Sequence, residues 1–171
     1  KQYGVLVPAL VRPKQGGGYE MVAGHRRKMA AELAQLPEIP CIVRNLTDDE
    51  ATIIMVDSNL QREQILPSEK AFAYKMKFDA LKRQGARSDL TSEQVAPKLS
   101  TEIIAEQENT SKDTIKRYIR LTKLIKPLLD LVDEGKIALT PAEKLSYLKE
   151  EEQRALAELI QDYEATPSLS Q

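Results

Sequence analysis

Three clusters of polar side chains in this 171-residue chain have types and spacing suited to binding anions. The first is Gly24-His25-Arg26-Arg27. It lies where an alternating segment, Tyr19 to Ala23, gives way to apolar positions at helical spacing, Met29, Ala30, Leu33 and Leu36. A strand that runs through a glycine into a helix leaves the first helical N–H groups unpaired. Cations in that turn oppose the helix dipole unless something anionic sits over them, and a phosphate is the natural occupant. The alternative is that Arg26 and Arg27 lie on a solvated face or pair with acids such as Glu20, and spacing does not choose between the two. His25, the only histidine, adds a hydrogen-bonding group or a base to the turn. The second cluster is Asn59, Gln61 and Arg62, at the end of a helix opened by the capping box Thr47-Asp48-Asp49-Glu50. Alone it is an ordinary exposed terminus; beside the first cluster, the two turns could face one another across a phosphate-sized cleft.

The third cluster is cationic. Thr101 to Leu121, TEIIAEQENTSKDTIKRYIRL, has the layout of a helix-turn-helix. Ala105 permits close helix approach, Asn109 takes the left-handed turn often given to glycine, and Ser111 caps the second helix. Ile115 and Ile119 face inward. Lys112, Lys116, Arg120 and Lys123 then form a basic stripe, with Arg117 further round. A solvated face would look similar, but the basic positions begin just after the cap, where such a helix enters a major groove. Ser111, Lys112 and Thr114 are the expected base readers, with Lys116, Arg117 and Arg120 as further DNA contacts.

The elements that must position these clusters divide into an α/β half and a helical half, an α+β chain. Val5 to Val11 reads as a strand broken by Pro8, Gly16 to Gly18 as a turn, Tyr19 to Ala23 as a second strand and Ile39 to Val43 as a third. Cys41, among apolar neighbours in the third, reads as a small buried residue. The capped helix runs to about Ser58 with Ala51, Ile54 and Met55 inward. Pro67 and Gly85 bracket a helix whose Phe72, Tyr74, Met76, Phe78 and Leu81 read as core. Arg87 to Ser100 reads as a linker or inserted loop. Further helices are expected from Pro127 to Glu134, from a Thr140-Pro141-Ala142-Glu143 capping box, and from Glu150 to Tyr163 with Leu156, Leu159, Ile160 and Tyr163 on one stripe. Thr166-Pro167 looks like the start of another. The boundaries are 1–66 and 67–171, with the helix-turn-helix at about 101–122.

Composition bounds the partners. Lys and Arg total 25 against 26 Asp and Glu, a net charge of −1, so nucleic acid must be met by a local patch. The 42% hydrophobic content is enough for real cores. A single cysteine excludes an internal disulfide framework and fits a reducing compartment, and no run reaches membrane-spanning length; a cytoplasmic protein with no membrane partner is expected. The acids are dispersed, so no metal site is expected and nuclease chemistry has little support.

Together the clusters resemble the ParB family of partition proteins from Gly4 to about Tyr147. The resemblance is carried by GVLVPALVR, YEMVAGHRRKMAAELAQL, IPCIVRNL, SNLQRE with Leu66-Pro67-Ser68-Glu69, and the closing YIRL. It implies a ParB/sulfiredoxin-like nucleotide-binding domain, which in partition proteins binds CTP with Mg²⁺, joined to a helical DNA-binding domain. Gly24, His25, Arg26 and Arg27 then match the phosphate motif, and Asn59, Gln61 and Arg62 the second nucleotide motif. It also implies a homodimer, double-stranded DNA with a centromere-like site, a ParA-type ATPase partner, and a C-terminal dimerisation domain before which this chain is expected to stop. Three positions depart from the pattern: His25 and Ser58 stand where glutamates are usual, and Val7 where glutamine is usual. Lost carboxylates are lost oxygen ligands for Mg²⁺, so CTPase activity does not follow, and the pattern resembles the divergent mobile-element members. The competing class is a nucleotide-dependent enzyme on the same fold, a phosphotransferase or NTPase; the sulfiredoxin-like reductase branch would need a cysteine where His25 stands.

Overall fold

The structure, a computed structural model, describes residues 4–87 and 95–163. Thr166-Pro167 and half of the expected linker, residues 88–94, lie outside that range. Two compact units divide between Gln61 and Arg62, five residues before the boundary read from the sequence.

The first unit holds strands β1 (Ala9–Pro13) and β2 (Tyr19–Ala23), helix α1 (His25–Leu33), strand β3 (Cys41–Val43) and helix α2 (Asp48–Leu60). Its sheet has the order β2-β1-β3. β1 and β2 pair antiparallel, with Val11 opposite Met21, while β3 lies parallel to β1 with Val11 opposite Val43. The hairpin closes through Gly17 and Gly18, both at positive φ, with Lys14 N–H donating to Gly18 O at 3.0 Å. The first strand begins only at Ala9, because Pro8 has no N–H to offer the ladder. Ala9, Val11 and Val22 meet Ala31 of α1 and Ala51 and Val56 of α2 in a core of small side chains. Arg12 fastens its rim: Nε reaches Glu20 Oε2 at 2.7 Å and Nη1 reaches Asp48 Oδ1 at 2.7 Å, joining both strands to the start of α2. Hydrogen bonds to Glu20 first and Asp48 second hold its pKa above the ordinary arginine value. The Thr47–Glu50 capping box is present, with Thr47 N–H donating to Glu50 Oε2 at 2.8 Å.

Two burial expectations fail in this unit. Cys41 is exposed, as are Ile42 and Val43, because among the described residues β3 pairs only with β1 and forms the sheet's edge. On α1 it is Ala31 that is buried, whereas Met29 and Leu33 are 64% and 80% exposed. The start of α1 is pressed so close to β1 that its smallest side chain faces the sheet.

The second unit is helical: α3 (Pro67–Arg87), α4 (Val95–Gln107), α5 (Lys112–Leu121), α6 (Lys126–Asp133), α7 (Leu139–Leu145) and α8 (Glu150–Tyr163). Ala71, Leu121, Leu124, Leu128, Leu129, Val132, Ile137, Ala142 and Ile160 form its core. α3 keeps helical backbone through Gly85, which does not take the positive φ that ends helices, and α4 already starts at Val95, within the segment read as linker. Tyr74 is buried on α3, but Phe72 and Met76 are exposed, and Lys77 is buried instead. The Tyr74 ring meets Tyr118 edge-on at 5.6 Å, and its hydroxyl donates to Glu108 Oε2 at 3.3 Å, tying α3 to the turn and second helix of the helix-turn-helix. Burial, and then the charge of Glu108, push the phenol pKa well up, so it stays a neutral donor. Asp133, at the end of α6, accepts Ser68 N–H at 2.8 Å and so caps the start of α3. The expected Thr140 cap is absent: α7 is capped at Ala138 without a side-chain bond, and Thr140 lies inside the helix. On α8 Ile160 is buried, Leu156 partly so, and Leu159 exposed.

One buried amide satisfies three backbone groups. Gln153 Oε1 accepts Ile125 N–H at 2.9 Å, while its Nε2 donates to Lys123 O at 3.2 Å and Leu148 O at 3.0 Å. Gln153→Leu keeps the bulk and strands these groups, so thermal denaturation should record a loss of about 1–3 kcal/mol. A loss below a few tenths would mean that water replaces the amide without cost.

Candidate anion turn and nucleic-acid interface

The first turn is built around Gly24, the N-cap of α1, at φ 110° and ψ 14°. A Cβ there would lie 2.8 Å from Ala9 Cβ and 3.1 Å from Ala9 Cα, so glycine is required on both conformational and steric grounds. The first intrahelical bond runs from Lys28 N–H to Gly24 O at 3.0 Å. The N–H groups of His25, Arg26 and Arg27 precede it and have no intrahelical acceptor. The two arginines then part company. Arg27 Nη1 donates to Val7 O at 2.9 Å and also to Pro8 O, pinning the approach to β1. Arg26 is exposed at the open end of the helix, as is His25. Glu20 is engaged by Arg12, so the expected competitor for the turn's arginines is occupied elsewhere. Of the second cluster, Asn59 and Gln61 end the first unit and Arg62 begins the second. Asn59 is half-buried and Gln61 and Arg62 are exposed, and Asn59 and Arg62 are both engaged by neighbours.

The turn's donor set is cationic and amide in character. Among the described residues no group of three His, Cys, Asp or Glu could hold a metal ion, and the departures to His25 and Ser58 leave no carboxylate at those two positions. Donors of this kind suit the oxygens of a phosphate group.

In the second unit, α4 and α5 form the helix-turn-helix. Ala105 is 5% exposed at the crossing, Asn109 has φ 49°, and Ser111 Oγ accepts Thr114 N–H at 3.0 Å as the cap. Ile115 is fully buried and Ile119 half-buried. Ser111, Lys112 and Lys116 are exposed, while Thr114 and Arg117 are half-buried. Lys112 pairs with Glu102 of α4, Lys116 lies 3.6 Å from Asp113, and Arg117 Nε lies 3.9 Å from Glu143 Oε2 on α7.

Arg120 departs from the stripe. Its Nε donates to Ser146 Oγ at 3.0 Å, its Nη2 donates to Ser146 O at 2.8 Å, and its guanidinium stacks over the Tyr147 ring at 4.0 Å. It fastens α5 to the end of α7, a role sequence spacing could not reveal because Ser146 and Tyr147 lie more than two dozen residues away.

A glycine-hinged strand-to-helix turn in a small α/β unit, followed by a helical unit built on α4 and α5, defines a two-unit helix-turn-helix protein. Residues 1–60 match the family model of the ParB N-terminal domain and residues 63–166 that of the ParB HTH domain, and the chain belongs to the ParB family. It is 38% identical over 152 residues to the chromosome-partitioning protein Spo0J of Thermus thermophilus, covering 89% of this chain and 50% of that one. It is 32% identical over 163 residues to a nucleoid occlusion protein of Listeria monocytogenes, covering 94% and 52%. The C-terminally truncated chromosome-partitioning protein ParB from Caulobacter crescentus, crystallised with the centromeric parS site, superposes with a TM-score of 0.56 at 27% identity, covering 94% of this chain and 78% of that one. The chain thus spans about half the length of the curated relatives it matches. Two of these relatives are named for chromosome partitioning and one for nucleoid occlusion, and the likeness to mobile-element members draws no support from their names. Among the described residues no helix is long and apolar enough to cross a membrane.

Two substitutions separate scaffold from ligand contact. Gly24→Ala should destabilise the chain by at least about 1–3 kcal/mol, from the strained backbone alone, as read in thermal denaturation. Arg120→Lys keeps the charge but loses the paired hydrogen bonds and flat stacking, and should cost about 1–2 kcal/mol while leaving the salt dependence of DNA binding unchanged. A lowered salt slope would instead make Arg120 a phosphate contact.

Proposed function

We propose that this chain acts as a ParB-type partition protein that binds a centromere-like DNA site through α5 and a nucleotide at the Gly24 turn. The observation that carries the DNA half is the capped, exposed start of α5 in a helix-turn-helix; on this reading Ser111, Lys112 and Thr114 read base edges and Lys116 and Arg117 meet phosphates. Arg120 supports this surface from behind. The nucleotide half rests on the uncapped N–H groups and exposed Arg26 of α1, which suit a triphosphate. CTP is the nucleotide that family membership favours, with His25, Arg27, Asn59 and Gln61 of the same unit completing the site. The bound CTP would gate closure of a homodimeric clamp on nucleoid DNA in the cytoplasm and communication with a ParA-type ATPase. Any Mg²⁺ would arrive with the nucleotide, and turnover is not part of the proposal, because Val7, His25 and Ser58 replace the side chains associated with it.

Calorimetric titration of CTP, ATP and GTP, with and without Mg²⁺, tests the nucleotide half. CTP should bind preferentially, and Arg26→Ala should weaken it at least tenfold, on the order of one charge-assisted contact. Binding of none of the three would remove the nucleotide role and leave the DNA role standing. Fluorescence anisotropy on a parS duplex tests the DNA half. Lys116→Ala should lower affinity for all sequences and reduce the salt slope by about one, whereas Lys112→Ala should cost roughly 1–3 kcal/mol on the specific site alone. Equal affinity for parS and scrambled duplex in the wild type would sink the site-specific reading.

A further inference from the structure

The cations that α5 offers to DNA are each met by a carboxylate, and the carboxylates differ in how firmly they are held. Asp113 lies on α5 itself with its side chain 78% exposed, so it can swing aside at almost no cost. Glu102, opposite Lys112, is 35% exposed. Glu143, opposite Arg117, is only 16% exposed. Its Oε1 accepts the Tyr147 hydroxyl at 3.2 Å, the Tyr147 ring lies under Arg120, and Arg120 is itself bonded to Ser146. Glu143 is therefore fixed by α7 and by the C-terminal arginine of the recognition helix. At 3.9 Å from Arg117 Nε it is too far for a hydrogen bond yet close enough to offset the charge, so the Arg117 N–H groups stay available to a ligand.

We propose that Glu143 is a specificity residue of the DNA-binding surface, a fixed negative charge that orients Arg117 and penalises engagement with arbitrary phosphate backbone. The proposal rests on the DNA reading of α5. Nonspecific binding is driven by counterion release from phosphates neutralised by protein cations. A cation already offset by a held carboxylate contributes less to that release. A specific site recovers the loss through the base contacts of Ser111, Lys112 and Thr114, which form when Arg117 is held in register with its own phosphate. With a net charge of −1, the chain has no positive excess to mask the effect.

The test is an anisotropy titration of the whole chain on a parS duplex and a scrambled duplex of equal length across a salt series. Glu143→Gln should raise affinity for the scrambled duplex roughly two- to fivefold, the range of a partly exposed ion pair, and steepen its salt slope by up to about one. Affinity for parS should change less, so the ratio falls. Tyr147→Phe, which keeps the ring and removes the hydroxyl, should shift the ratio in the same direction by a smaller factor and serves if Glu143→Gln fails to fold. In an Arg117→Gln background the gain from Glu143→Gln should vanish. An unchanged scrambled-duplex affinity and slope, a parallel change on both duplexes, or a gain that survives without Arg117 would overturn the proposal. Wild type that binds neither duplex would overturn the DNA reading beneath it.

Discussion

The absence of a side chain at Gly24 is the constraint on which the first unit depends. With Ala9 at van der Waals limits from that backbone, β2 can turn directly into α1, and the free N–H groups of the helix end up at the edge of the sheet. The same contact draws α1 in until Ala31 is its buried residue. Small residues repeat this service in the second unit, where Ala71, Ala80, Ala105 and Ala142 are almost fully buried. Close backbone approach, more than bulky apolar packing, sets the geometry of both surfaces.

Around these contacts, arginines divide between scaffold and surface. Arg12, Arg27 and Arg120 each bind main-chain carbonyls, and each immobilises a junction between elements. A planar guanidinium suits this role because it satisfies several acceptors at once without losing its charge. Arg26 and Arg117 are left with their N–H groups more open, and each is placed by a neighbour that has been spent on structure.

Local signals were legible in the sequence to the extent that they are local. The Thr47–Glu50 capping box, the left-handed Asn109, the Ser111 cap and the stop at Gly135 all depend on residues within one turn, and all are present. Burial was less legible, since it depends on what lies across the contact. Cys41 looks internal by its neighbours but sits on an edge strand, and Met29 and Leu33 follow a helical period that points away from the sheet. Gly85 carries no information about φ, and Thr140-Pro141-Ala142-Glu143 fits a capping box one could draw at a turn that the chain makes two residues earlier. The roles of Arg120 and Gln153 were illegible because their partners are distant in sequence.

The exposed sulfur of Cys41 has a practical corollary. It is the chain's single thiol and lies on β3, whose outer edge carries no ladder partner among the described residues. A maleimide dye will therefore attach at one defined position in the first unit, and the labelled chain, with no substitution needed, carries a spectroscopic handle for watching that unit separately from the helices that follow.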